Sequence, residues 1–198
     1  NLKHINNATT YIHYGLYNKA VKKNQIIIIK RGLYTLASQY RKTKLSQYFL
    51  ANRIAPHSYI SLEAALSYHN WISERVTWVM SITAQGRTRQ FSTPFGEFIF
   101  YRLPINEYQF LTGVNRLEAF KHQPFFLASP LRAITDHVYL NKVEWQSLDF
   151  LTNSLRIDIE HLIQIQQDEF LAIQRVYHSK RVLHFLNQLQ KELKDYEQ

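Results

Sequence analysis

The chain contains no cysteine, so disulfides, thiolate nucleophiles and cysteine metal sites are excluded, and a reducing compartment suits it. It also lacks any apolar run of the eighteen or more residues that a spanning helix would need, and no stretch reads as a signal peptide. There is no P-loop and no G-x-S-x-G, and the nine histidines show no HExxH or other paired helical spacing. No catalytic residue, metal ligand or cofactor is therefore assigned. The most informative absence is of acid. From Asn1 to Leu62 there is not one Asp or Glu, while ten Lys or Arg fall in the same stretch. Residues Glu63 to Gln198 carry fourteen basic and fifteen acidic side chains, so the whole net charge of +9 belongs to the front third. A bland basic surface would spread its charge. One so polarised points to a separate module facing a polyanion.

What is present is a folded composition. At 198 residues, with 45% hydrophobic and 14% aromatic content, the chain can bury a core as one large domain or two small ones. Its first residue is Asn1 rather than methionine, so a front end truncated relative to the natural start is an expectation.

The acid-free region reads as a helix followed by a hairpin. Thr9 or Thr10 is a plausible N-cap and Asn24 a plausible stop. On a helical wheel Leu16, Tyr17, Ala20 and Val21 share one arc, to be packed, and Tyr11, Tyr14, Gly15, Asn18, Lys19 and Lys22 share the other. Cations near a helix C-terminus complement its dipole, which accounts for Lys22 and Lys23 but not for Asn18 and two tyrosines on the same arc. Asn can bond both edges of adenine, Lys reaches guanine or phosphate, and Tyr donates to phosphate. Next, "QIIIIK", an Arg31-Gly32 turn and "LYTL" read as a β-hairpin, with Gly32 supplying a positive φ and the tip carrying Lys30 and Arg31. A helix followed by a basic-tipped hairpin is the order of a winged helix-turn-helix, the helix reading the major groove and the wing touching the backbone. Lys3, Arg41, Lys42 and Lys44 would add contacts at the rims. The candidate DNA-binding residues are thus Thr10, Tyr11, Tyr14, Asn18, Lys19, Lys22, Lys23, Lys30, Arg31, Arg41 and Lys42.

Beyond this module, Leu45 to Asn52 reads as a short helix halted before Pro56, and Ser61 as the N-cap of a helix over Leu62 to His69. "TWVMSIT", the turn "AQGRTRQ" and "FGEFIFYRL" read as an antiparallel sheet by spacing. Ser129-Pro130 opens a helix to about Leu140. Past Val143 the pattern is helical to the end, with Leu155, Ile159, Leu162, Phe170, Ile173, Val176, Leu183, Leu186 and Leu193 as core stripes. His69 and His137 fall near apolar helical faces and are read as structural. The expected fold class is α+β: a winged helix-turn-helix over 1–45, then an α+β domain over 46–198 with a small antiparallel sheet and a helical C-terminus.

The stretch "LANRIAPHSYISLEAALSYHNWI", with "KRGLYTL" before it and "SITAQGRTRQFSTPFGEFIFYRL" and "ASPLRAITDHVYL" after it, resembles the AbiEi family, antitoxins and transcriptional regulators of type IV toxin–antitoxin systems. The resemblance runs from about Gln25 to Leu140. It implies a winged motif that binds inverted repeats in double-stranded DNA upstream of its own operon and represses it. It also implies a C-terminal domain that counters a nucleotidyltransferase-like toxin without forming a stable complex. On this chain the reading helix would be Thr10 to Lys23 and the wing Gln25 to Leu36, the first helix of the motif being short or missing before Asn7. The family commonly has Ala-Thr-Pro-Glu-Lys-Ala where this chain has Ala128, Ser129, Pro130, Leu131, Arg132 and Ala133. Leu131 stands in place of the acid. A non-enzymatic, cytoplasmic and nucleoid-associated protein with no membrane partner is expected. Two rival classes are a DNA-binding regulator without a toxin, whose second domain senses a ligand or mediates assembly, and a metal-dependent nuclease. The latter needs clustered carboxylates and a lysine, and the one Glu-x-Lys, Glu192 to Lys194, lies in a terminal helix.

Overall fold

The computed structural model describes residues 15–74 and 76–196. The first helix, α1 (residues 15–22), runs into the hairpin of β1 (Ile26–Lys30) and β2 (Leu33–Leu36). Only one helix precedes the hairpin among the described residues, so a helix-turn-helix pair is not seen in them. A 3-10 turn at Ser38–Tyr40 leads to α2 (Gln47–Ile54), with Ser46 capping Phe49 N–H, two residues later than the sequence indicated.

The rest is built on a mixed six-stranded sheet in the order β5-β6-β4-β3-β8-β7. Its strands are β3 (Ser58–Ile60), β4 (Trp78–Thr83), β5 (Arg89–Thr93), β6 (Gly96–Arg102), β7 (Val114–Glu118) and β8 (Pro124–Ala128). Antiparallel pairs join β3 to β4, β5 to β6 and β7 to β8. The strands β4 and β6, expected to be antiparallel, lie side by side in parallel, from Trp78 opposite Glu97 to Thr83 opposite Arg102. The cause is β5. Arg89 and Gln90, read as part of a turn, begin a strand on the outer edge that hairpins back through Pro94-Phe95, and β6 then fills the gap. At that bend Gly96 has φ +130°, and a Cβ there would meet Gln47 Nε2 at 2.5 Å, so only glycine fits without displacement.

Helices cover this sheet. α3 (Leu62–Tyr68) starts at Ser61 as expected, yet the Ser61 hydroxyl does not cap it; it donates to Asp136 Oδ2 at 2.7 Å. α4 (Pro130–Leu140) is capped by Ser129, with Pro130 in its first turn. The tail read as continuous helix is broken into a π-turn at Phe150–Ser154 and then α5 (Ile159–Ile163), α6 (Gln167–Gln174) and α7 (Lys180–Tyr196). On α7, Val182, Phe185, Leu186, Leu189 and Leu193 form a buried stripe at helical spacing, each contributing roughly 1.5–3 kcal/mol relative to exposure. No described helix is long and apolar enough to cross a membrane.

At the centre of the core lies a closed polar network. Arg132, Asp136, Tyr59 and Ser61 are fully buried. Arg132 Nε stands 3.3 Å from Asp136 Oδ1, one turn along α4. Tyr59 Oη donates to Asp136 Oδ2 at 2.9 Å, and Tyr177 Oη donates to Asp136 Oδ1. The guanidinium also donates to Tyr59 Oη at 2.7 Å and the Thr112 carbonyl at 2.9 Å, and stacks 5.2 Å from the Tyr59 and Tyr177 ring centres. Burial, then the Asp136 charge, pushes both tyrosine hydroxyls well above the ordinary tyrosine range, so they stay donors. Burial alone would loosen the Arg132 proton; Asp136 and the tyrosines outweigh it and raise the pKa. The network ties β3, α4 and the chain after α6 together.

Candidate nucleic-acid interface

The candidate interface begins at the end of α1. Asn24 adopts φ +51°, a left-handed conformation that Asn tolerates, and two bonds close the helix: Gln25 N–H to Ala20 O and Asn24 N–H to Val21 O, both 2.9 Å. This is a Schellman stop, and it aims the chain directly into β1. The hairpin returns beside it, with Ala37 N–H donating to Gln25 O at 2.8 Å and the Tyr17 ring stacked on Tyr34 at 5.1 Å.

On α1, Asn18, Lys19 and Lys22 are exposed, as is Lys23 just beyond it. Ala20 and Val21 are half-buried. Leu16, placed on the packing arc by the wheel, is 59% exposed, and Tyr17 is partly exposed beside Tyr34. The candidate contacts Thr10, Tyr11 and Tyr14, with Lys3, lie outside the described residues.

The hairpin divides its two cations. Arg31 sits at the exposed tip beside Gly32, whose φ of +79° meets the turn requirement. Lys30 is not at the tip: it is the last residue of β1, half-buried, and its Nζ donates to the Ile54 carbonyl at the end of α2 at 2.5 Å. It also lies 5.8 Å from the Phe91 ring centre on β5. A register shift between Ile28 and Lys30 explains this turn inward. Such a bulge re-aims side chains, and here the adjacent Ile29 and Lys30 both meet the body, Ile29 as part of its core. Burial, then the nearby Arg89 charge, lowers the Lys30 pKa. Arg41 is likewise turned inward, half-buried with its guanidinium 5.3 Å from the Phe95 ring centre, whereas Lys42 and Lys44 are exposed.

Among the described residues, no carboxylate forms an ion pair with any cation from Lys19 to Arg53. Elsewhere the described ion pairs are Arg132–Asp136, His137–Glu63 and Arg156–Glu74. Arg87 and Arg89, two exposed arginines flanking a threonine in "AQGRTRQ", were read only as part of a turn.

Other chemistry is sparse. No group of three His, Asp or Glu among the described residues gathers as a metal site. A cleft of about 400 Å³ opens between His57, Ala84, Gln85, Glu107, Phe110 and Leu111. His69 Nε2 lies 2.9 Å from the Ala128 carbonyl, and His137 Nδ1 3.1 Å from Glu63 Oε1, both in structural contacts. No family model matches the chain, and no curated protein is significantly similar to it.

Proposed function

We propose that the chain is a sequence-specific DNA-binding transcriptional autorepressor of the AbiEi type, acting as the antitoxin of a type IV toxin–antitoxin system. The carrying observation is the exposed, acid-free set Asn18, Lys19, Lys22, Lys23 and Arg31 on a helix and the hairpin that follows it. Exposed cations with no carboxylate partner release counterions when they meet phosphates, and Asn18 on the same helix offers bidentate adenine readout. The resemblance of "NRIAPHSYISLEAALSYH" to AbiEi regulators supports the assignment to a toxin–antitoxin operon, with a nucleotidyltransferase-like toxin countered without a stable complex.

One observation favours a second reading, a DNA-binding regulator without a toxin. Leu131, where the family has an acid, is fully buried, so this position presents no carboxylate to any partner. The cleft beside His57 and Glu107 would then serve ligand sensing by the second domain.

The deciding experiment is a footprint of the full chain on its own upstream region, with random duplex as competitor. Protection of an inverted repeat that survives competition is expected. Asn18→Ala should blur discrimination at particular base pairs; equal weakening on specific and random duplex would remove Asn18 from base readout. Absence of any protected site would overturn the reading. A neighbouring toxin-like reading frame separates the first reading from the second.

A further inference from the structure

Three strand ends meet at the cleft beside His57. β3 and β4 are antiparallel with Ser58 opposite Thr83, and β4 and β6 are parallel with Thr83 opposite Arg102. His57 therefore enters β3 at the same end of the sheet where Ala84 and Gln85 leave β4. The chain leaving β6 turns there too, through Glu107–Gln109. In open sheets, ligands bind in the crevice outside the carboxyl ends of parallel strands. The cleft holds about 400 Å³, within the range of small-molecule pockets.

Its walls are fixed from behind. Phe110 is 8% exposed and sets its ring 5.0 Å from the buried Tyr59 ring. Two residues on, the Thr112 carbonyl accepts from Arg132 Nη1 at 2.9 Å, so this wall is tied twice to the buried polar network. Asn106 Oδ1 accepts from Tyr108 N–H at 3.0 Å and shapes the turn that presents Glu107. On the other side His57 has φ +59°, in a turn that Ser58 Oγ closes by donating to the Ala55 carbonyl at 2.7 Å.

The lining specifies a ligand type. Ala84, Phe110 and Leu111 are apolar, and no Lys or Arg lines the cleft, which disfavours phosphates and carboxylates. Glu107 is its one carboxylate and, in a chain of net charge +9, forms no ion pair among the described residues. Its one side-chain contact is from Gln85 Nε2 at 3.5 Å, long for a hydrogen bond and cheap to exchange. The His57 ring has no hydrogen-bond partner among the described residues. An open carboxylate beside apolar walls suits a flat body with N–H donors along one edge. Paired bonds from such an edge to a carboxylate are about twice as strong as neutral ones.

We infer that this cleft binds a guanine-type base, whose ring N–H and exocyclic amino group form that edge. Glu107 takes both donors, displacing the weak Gln85 contact, while Ala84, Phe110 and Leu111 enclose the ring. The His57 imidazole is left to donate to the acceptors of the base. The inference rests on the ligand-sensing reading of this cleft and names the ligand, without drawing on any DNA contact.

The test is equilibrium dialysis of guanosine, inosine and adenosine against the full wild-type chain and Glu107→Gln. Wild type should bind one guanosine with a dissociation constant of about 0.1 mM or below. Inosine, which lacks the exocyclic amino group, should bind about tenfold more weakly, and adenosine should not compete. Glu107→Gln should weaken guanosine at least about tenfold and erase its advantage over inosine. Its thermal midpoint should match wild type, because Glu107 is exposed. Equal binding of all three nucleosides, or no guanosine bound up to about 1 mM, overturns the inference. Guanosine held equally well by Glu107→Gln lies elsewhere on the chain and also overturns it. Adenosine bound instead, and lost in Glu107→Gln, overturns the guanine assignment and leaves the ligand-sensing reading standing. Guanosine bound as expected, with no effect on duplex affinity, supports the site and removes the sensing role.

Discussion

The core of the body and the front of the molecule handle positive charge in opposite ways. Arg132 is entirely enclosed, and what surrounds it is a carboxylate, a backbone carbonyl and two aromatic rings. Arg181 is similarly absorbed, donating to the carbonyls of Val138, Tyr139 and Val143 where α4 ends. The front module keeps Lys19, Lys22, Lys23 and Arg31 exposed, and among the described residues none of them forms an ion pair with an acid. Between the two lies a joint made of cations against apolar groups: Lys30 on Phe91 and Ile54, and Arg41 on Phe95. The lesson is that the partner, not the residue type, tells an enclosed arginine from an open one. Enclosed cations hold the fold, docked cations tie the module to the body, and the open ones are those the proposed reading assigns to a polyanion.

Breaking the enclosed set should have the largest effect. Arg132→Met strands the Asp136 carboxylate in the core with only hydroxyl donors, and urea unfolding should show a loss of about 3–5 kcal/mol. Gly96→Ala strikes the joint, because it forces a side chain into a φ of +130° and against Gln47; a loss of about 1–3 kcal/mol is expected. Arg41→Ala removes a cation from the Phe95 face and should cost about 0.5–1 kcal/mol by the same measurement. Arg31→Ala, at the exposed tip, should leave stability unchanged within about 0.5 kcal/mol while weakening duplex binding, which sharpens the contrast with its neighbour Lys30. The smallest effect is on acid stability. Burial raises the Glu63 pKa, but the imidazole of His137 outweighs it and leaves the carboxyl below its ordinary value of 4.5. A depressed carboxyl contributes stability that is complete above 4.5 and disappears as pH falls through the lower folded value. Unfolding midpoints of wild type and Glu63→Gln should therefore differ at pH 7 and converge toward pH 3.

Local signals in the sequence carried over well. Asn24 as a helix stop, Gly32 in the hairpin and Ser129-Pro130 at the start of α4 are all features of one residue and its neighbours. The misread parts depend on distant partners. Arg89 and Gln90 are polar enough to pass for the end of a turn, and only the adjacent β6 makes them the start of a strand. The three residues of β3, to which no element was assigned, are too few to show a period, and they are fixed by β4 on one side and β8 on the other. Ser61 starts α3 as expected, but Asp136, far along the chain, takes its hydroxyl. In the candidate interface, the cluster of exposed α1 cations was legible from charge alone. Lys30 was not, because a bulge cannot be seen in "IIIIK".

The most direct test of the open front module is the salt dependence of duplex binding by the full chain. Neutralising about six phosphates should give a slope near −5 for log K against log salt. A slope near zero, or no binding to duplex at low salt, would contradict the assignment of these unpaired cations to a nucleic-acid surface.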